Sequence, residues 1–164
     1  SLAGACVALG LRFAGSACKP ACDLLTAQVK VLHERRQASG ASAHTKPEQP
    51  TLETCLGATA IALAMVMAGS GHLDTLRLLR VLRRRVDNEV THGFHMAISM
   101  AIGFLFLGGG RLTLGTSKRA VAALLACVFP RFPLNPSDNR YHLQAFRHLY
   151  VLACEARCLE AVDV

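Results

Sequence analysis

Cysteine is one of the residue types in the sequence that could bind a metal. Cys18 and Cys22 are spaced four residues apart, as are Cys154 and Cys158, so each pair would place two thiols on one face of a helix. Structural zinc sites usually show closer cysteine pairs, with further ligands at set distances. An odd total of seven cysteines, scattered through apolar segments, also fits a reducing compartment. The cysteines are therefore predicted to be core residues, and no metal or other cofactor is expected.

Histidine could act in acid–base catalysis or bind a metal. His92 and His95 are three residues apart and would share a helix face, while His142 and His148 lie near the end of the chain. No HExxH motif or nearby carboxylate accompanies them, which favours structural histidines. No serine occurs in a Gly-x-Ser-x-Gly elbow. The sequence therefore predicts no catalytic residue, and the chain is not expected to be an enzyme.

Glycines end several of the apolar runs. Gly108, Gly109 and Gly110 follow the run that starts at Met96, and they could be interpreted as a phosphate-binding loop. That motif needs a following Lys-Ser/Thr and a preceding strand, which are both missing, so a turn between helices is favoured. Glycine adopts positive φ without steric cost. We therefore expect positive φ at Gly69, at Gly71 and at one or more of the three consecutive glycines; Gly15 is assigned to an equivalent turn.

Arginines cluster in the run from Arg77 to Arg85, and the formal net charge is +7. A basic helix could bind nucleic acid, but the run has no interleaved aromatic residues and matches no nucleic-acid-binding motif. The nearest acids, Asp74 and Asp87, stand at the two ends of the expected helix. Two interpretations remain, a solvated surface and a docking surface for an acidic protein partner. The predicted surface consists of Arg77, Arg80 and Arg84.

The elements that position these residues are predicted to be helices. Hydrophobic residues make up 52% of the 164-residue chain and aromatic residues only 5%, without tryptophan, which suits closely packed helices. No stretch shows sustained alternation, so no strands are expected. Leu76, Leu79 and Val86 should form the packing face of the fourth helix. The expected helices are Leu2–Ala14, Pro20–Arg36, one capped by Thr51 and ending at Gly69, Leu73–Val86, one starting at Thr91, one capped by Thr116 or Ser117 and ending near Val128, and one from Ser137 or Asp138 through Ala153.

Residues Gln37 to Pro50 contain no bulky apolar side chain and two prolines. Such a stretch has nothing to bury that would offset its ordering entropy, so a disordered surface insert is expected there. Because Ser1 is not an initiator methionine, the chain is expected to be part of a longer protein. No basic segment with a cleavage site opens it, so no secretory signal is expected.

Similar segments recur along the chain. AMVMAGSG (64–71) is followed by GFLFLGGG (103–110) after 39 residues and by HLYVLACE (148–155) after a further 45, and GLRFAGSA (10–17) precedes it by 54. Each unit combines an apolar helix, a glycine turn and a second helix. A period of this length made of helix pairs is typical of an α-solenoid. The prediction is one all-α segment over residues 1–164, with about four stacked helix-turn-helix units.

These segments resemble the proteasome/cyclosome repeats of the proteasome regulatory subunits and of the anaphase-promoting complex. Within that group the resemblance is to the large scaffold subunits of the anaphase-promoting complex. The chain departs from the pattern at Ala17, where the family has glycine, and at Cys154–Ala156, where the glycines are lost. The stretches that carry the resemblance are GLRFAGS (10–16), LETCL (52–56), LAMVMAGSG (63–71), LFLGGGR (105–111), DNRYHLQA (138–145) and RHLYVLA (147–153).

The resemblance implies a non-catalytic scaffold in a multi-subunit ubiquitin ligase that controls mitotic progression and exit. In that family the repeats form a toroid of inner and outer helices. The implied partners are other subunits of the complex: a doc-domain subunit, an activator and platform subunits. The implied location is the nucleus and the cytoplasm, and no small-molecule substrate or membrane is expected.

A helical membrane protein is the main alternative if the repeats are disregarded. Cys55–Gly71 and Met96–Gly110 are uncharged apolar stretches. Both are shorter than the roughly 20 residues needed to span a bilayer, and both end in glycine turns. The lengths therefore favour buried helices over membrane spans.

Overall fold

The computed structural model describes residues 2–37, 49–86, 90–138 and 142–158. Its main elements are helices, which confirms the all-α prediction. A 3-10 turn covers Leu107–Gly110 and a 3-10 helix covers His142–Ala153, while β1 (Leu112–Leu114) and β2 (Cys154–Ala156) are short strands. The α-helices are α1 (Leu2–Arg12), α2 (Lys19–Gln37), α3 (Gln49–Val66), α4 (Leu73–Arg83), α5 (His92–Leu105) and α6 (Lys118–Cys127).

Alternate helices form an inner layer, with α3 lying between α1 and α5. The other helices cover it in a regular way, since α2 packs on α3, α4 packs on α5 and α6 packs on the 3-10 helix. Each covering helix thus packs on the inner element of the next unit. This arrangement explains the repeated apolar-then-amphipathic pattern, because an inner helix has neighbours on several sides and a covering helix on one.

The central helix α3 is buried from Leu56 to its end. Its many alanines permit close approach: a Cβ on Gly10 of α1 would lie 2.8 Å from the Cα of Ala62. Leu56, Ile61 and Leu63 add bulk at 0–1% exposure. Full burial of such side chains contributes about 1.5–3 kcal/mol each. The core is therefore centred on the unit that has a neighbour on both sides.

Several predicted helix boundaries are wrong. Helix α3 begins at Gln49, so Thr51 lies inside the helix and does not cap it. Helix α4 ends at Arg83, which leaves Val86 beyond the helix and 89% exposed. The buried face of α4 is instead formed by Thr75, Leu79 and Leu82.

The predicted cap at Ser117 is confirmed, because its side chain accepts a hydrogen bond from the Ala120 amide in the first turn of α6. The helix predicted to start at Thr91 starts at His92, and Thr91 is its N-cap residue. The last helix begins at His142, after the position predicted from Ser137 or Asp138, and it is a 3-10 helix. Three prolines between residues 130 and 136 keep the preceding chain non-helical as far as Asp138.

The expectation of no strands is also wrong. Strands β1 and β2 pair antiparallel, with Thr113 opposite Glu155. Three residues are too few to show alternation, and the two strands are separated by about forty residues of chain. A tertiary contact of this kind leaves no local pattern in the sequence.

Of the predicted insert, Gln37 ends α2 and Gln49–Pro50 begin α3, while residues 38–48 lie outside the described ranges. The apolar segment around α5 is longer than predicted: His92–Gly110 spans 19 residues with a mean hydropathy of 1.5, enough by length and composition to cross a membrane. A core helix passes the same test, and α5 packs against α3 and α4.

Candidate functional site

The glycine turns adopt the backbone conformation that the sequence predicts. Gly69 and Gly71 have φ of 72° and 62°. All three consecutive glycines, Gly108 to Gly110, also have positive φ, between 57° and 86°. Gly15 has φ of 68°. The prediction of positive φ at these turns is therefore confirmed.

The turns connect successive units through backbone hydrogen bonds. Two amides of a turn donate to two consecutive carbonyls at the end of the next inner helix, and the second turn repeats the arrangement of the first. The shared pattern makes each turn both the end of one unit and the attachment point of the next. The four bonds join Gly15 to Met65 (2.8 Å), Ala17 to Val66 (3.0 Å), Gly69 to Phe104 (2.9 Å) and Gly71 to Leu105 (2.9 Å).

Strand β1 lies against the first two turns. The Thr113 hydroxyl is 3.3 Å from the carbonyl oxygen of Gly15 and 3.0 Å from that of Ala68. A Cβ on Gly15 would lie 2.2 Å from the carbonyl oxygen of Leu114, and one on Gly69 would lie 1.9 Å from that of Leu112. These two glycines are thus required by close approach as well as by their φ.

Ala17 is the position where glycine is replaced in the first turn. It has φ of 51°, so the alanine adopts the left-handed conformation that glycine adopts at Gly71. An L-residue with a Cβ is strained there. The alanine therefore adds backbone strain to the first turn, while the turn keeps the same conformation.

Replacing Ala17 with glycine is expected to stabilise the chain by about 0.5–1 kcal/mol, because it removes this strain at a small entropic cost. Urea denaturation followed by circular dichroism would measure it. Ala8→Gly is the matched control, since Ala8 is exposed within α1, and glycine in a helix costs about 1 kcal/mol. Equal destabilisation by both substitutions would contradict the expectation.

The predicted arginine surface is only partly unpaired. Arg77 donates to Asp74 across 2.9 Å, contrary to the expectation that the acids at the helix ends leave the arginines unpaired. The pair is exposed and contributes little to stability. Arg80 is exposed on the helix, whereas Arg84 follows its end as the C-cap residue. Asp87 lies outside the described residues.

A buried ion-pair cluster lies beneath this region. Glu53 accepts from Arg36 at 2.9 Å and from Arg85 at 3.2 Å, and the three side chains are only 5–9% exposed. The Arg85 guanidinium also lies 5.1 Å from the ring centroid of Phe94. The cluster thereby joins α2 and α3 to the end of α4 and to α5. Sequence reasoning missed it because the partners are 17 and 32 residues apart.

His33 lies beside this cluster. Its Nδ1 is buried and has no hydrogen-bond partner among the described residues. Burial lowers the pKa of His33, and the nearby Arg85 charge lowers it further. The neutral form is thus favoured next to the two arginines.

Arg147 holds the proline-rich loop in place. The side chain is buried, and burial lowers its pKa. Its guanidinium is 4.0 Å from the ring centroid of Phe132. Carbonyl oxygens take the place of an acidic partner: Arg147 donates to those of Cys127 (2.6 Å), Phe129 (2.6 Å) and Arg131 (2.8 Å).

The predicted cysteines and histidines are dispersed over the fold. All seven cysteines are free thiols, and burial raises the pKa of Cys127 to about 11. His92 and His148 are exposed and His95 is half-buried. Within the described ranges no three His, Cys, Asp or Glu side chains come together as a metal site.

Residues 1–155 match the family model of the APC1 fifth domain. The chain belongs to the anaphase-promoting complex subunit 1 family. The matched residues include all three glycine turns and also the last unit, in which the glycines are missing.

Curated relatives support this assignment over nearly the whole chain. Anaphase-promoting complex subunit 1 of Homo sapiens is 52% identical over 163 residues, and that of Dictyostelium discoideum is 48% identical over 172 residues, each covering 99% of the chain. The negative regulator of mitosis of Emericella nidulans is 45% identical over 163 residues. The chain spans only about 8% of the length of these relatives.

Proposed function

We propose that this member of the anaphase-promoting complex subunit 1 family is a non-catalytic scaffold segment of the anaphase-promoting complex, a ubiquitin ligase that controls mitotic progression and exit. The proposed partners are other subunits of that complex: its doc-domain subunit, activator and platform subunits. Its proposed location is the nucleus and the cytoplasm.

The observation that supports this proposal is the repeated attachment of each turn to the next inner helix. A bond pattern that recurs unit after unit builds an extended, rigid surface, and arrays of this kind mostly bind other proteins. The units are proposed to form part of a toroid. Several hydrogen bonds stabilise this arrangement by joining separate parts of the backbone. They are made by the turn amides, by the Thr113 hydroxyl and by the Arg147 guanidinium.

The proposed docking surface consists of Arg77, Arg80 and Arg84. These side chains are exposed on or just after α4, whose opposite side is buried in the core. Bidentate arginine–carboxylate contacts suit such a surface. On docking, Arg77 would replace its exposed ion pair with Asp74 by a contact inside the interface, where water screens it less. The partner is therefore an acidic surface of another subunit.

Reversing the charge of all three arginines to glutamate tests this function in the full-length protein. We expect weaker, salt-sensitive co-purification of the other subunits, with the largest loss at low salt, because each contact changes from attraction to repulsion and salt screens that repulsion. The measurement is quantitative mass spectrometry of the complex purified at increasing salt.

The matched control is the triple reversal of Arg35, Lys118 and Arg119, which are also exposed and change the net charge equally. Circular dichroism of both variants shows whether helicity is kept. Full incorporation of the R77E/R80E/R84E variant at every salt concentration would contradict the docking role.

A further inference from the structure

An open cavity lies between the end of α4 and the part of α5 that contains His95 and Ser99. Its volume is about 410 Å³. Two different helices contribute to it, so the side chains that line it are brought together by the tertiary packing. The cavity, called the arginine cleft below, is lined by Arg80, Arg83, Arg84, His95 and Ser99.

The arginine cleft concentrates positive charge without a compensating acid. The neighbouring arginines on either side along the chain have acids, since Arg77 pairs with Asp74 and Arg85 pairs with Glu53. No carboxylate lines the cleft, and the described residues offer none within ion-pair distance of its three arginines. Three guanidiniums that repel one another thus line one opening.

Helix electrostatics explains only part of this arrangement. Cations in the last turn of α4 interact favourably with the helix dipole. That interaction is satisfied wherever the side chains extend, and it does not require them to face His95 and Ser99 of the neighbouring helix. The convergence of five polar side chains on one cavity points to a ligand.

We propose that the arginine cleft binds the phosphate group of a phosphorylated segment of a partner protein. A phosphate monoester carries about 1.5–2 negative charges and three acceptor oxygens. The planar arginine fork matches those oxygens, and His95 and Ser99 can add further donors. A single carboxylate brings one charge and two oxygens, which cannot engage three guanidiniums as well.

Nucleic acid fits the cleft less well. Proteins that bind single strands combine a long basic groove with aromatic side chains on which the bases stack. The lining of the cleft contains no phenylalanine or tyrosine, and its basic residues fill one compact cavity. A phosphorylated side chain therefore matches the chemistry of its lining.

The proposal rests on the scaffold function, since it specifies the chemistry of the acidic partner at Arg80 and Arg84. It predicts that the recognised group is a phosphate on a protein side chain. The test therefore measures binding of defined probes and leaves assembly of the complex to the charge-reversal experiment above. Each proposal then fails on its own measurement.

The experiment uses the full-length family member that contains this chain. The probe is a pool of short fluorescent peptides with mixed flanking residues and one fixed phosphoserine, read by fluorescence anisotropy. Companion probes carry serine or glutamate at the fixed position, and a single-stranded oligonucleotide is a third. The variants are R80A/R83A/R84A and, as a control of equal charge change, R35A/K118A/R119A.

We expect the phosphoserine pool to bind the unmodified protein more tightly than the serine and glutamate pools. In the R80A/R83A/R84A variant its binding should weaken about tenfold or more, because several charge-assisted hydrogen bonds are lost together. The control variant should bind as the unmodified protein does. Equal binding of phosphoserine and glutamate, equal loss in both variants, or preferential binding of the oligonucleotide would each overturn the proposal.

Discussion

Replacing Glu53 with glutamine is expected to lower the free energy of unfolding by about 3–5 kcal/mol. Glutamine keeps the size of the side chain and removes its charge. Arg36 and Arg85, whose side chains are 8% and 9% exposed, then stay buried but lose the negative charge of Glu53. The cost arises because both charges stay desolvated while the attraction of the Glu53 carboxylate, which offsets part of that desolvation, is removed.

Urea denaturation followed by circular dichroism would measure this effect. Glu34→Gln is the matched control, because Glu34 is exposed near the end of α2, and such surface changes stay within about 0.5 kcal/mol. A loss below about 1 kcal/mol for Glu53→Gln would contradict the prediction.

The triple replacement R36M/E53M/R85M provides a second check on the ion-pair cluster. Buried ion pairs often contribute no net stability compared with apolar side chains of similar volume. The triple variant should therefore recover most of the stability that Glu53→Gln loses. If it is as unstable as the single variant, the shape of the cluster and not its charge balance supports the helices.

Replacing Gly69 with valine is expected to destabilise the chain by about 3 kcal/mol or more. The residue has φ of 72°, and a Cβ would lie 1.9 Å from the carbonyl oxygen of Leu112. The substitution must therefore strain the turn and displace β1. In addition, the carbonyl oxygen of Gly69 accepts a hydrogen bond from Arg157, and this bond is lost if the turn moves.

Two alanine substitutions separate the contributions to this cost. Gly109→Ala tests conformation alone, since Gly109 has φ of 64° and open space around it, and should cost about 1–2 kcal/mol. Gly103→Ala is the control that introduces neither backbone strain nor a close contact, because Gly103 lies in α5 with no heavy atom near its added Cβ. This substitution should not destabilise the chain. Equal unfolding midpoints for all three variants in urea would contradict the close contact with β1.

Local features of the fold could be predicted from the sequence. The apolar runs, the cap at Ser117 and the turns at Gly69 and Gly71 all depend on residues close together in the chain. Such features follow from backbone conformation and helix capping, which act within a few residues. The repeat spacing extended these predictions to whole units.

Features that depend on distant residues could not be predicted in the same way. The pairing of β1 with β2 and the cluster around Glu53 join residues more than fifteen positions apart. Nothing in the sequence distinguishes Glu53 from an acidic residue on the surface of a helix. The predicted arginine surface omitted Arg83 for the same reason. Arg83 lines one cavity with Arg80 and Arg84 because α5 lies alongside the end of α4.

The position of β1 bears on how the units lose their structure. In an array whose units touch only their neighbours, each end can unfold while the remainder persists. Thr113, however, lies 98 residues from Gly15 along the chain and within hydrogen-bonding distance of its carbonyl oxygen. Melting of the third unit would withdraw this strand from the first and second turns together. The three units consequently form one cooperative block, and partial unfolding from one end is suppressed.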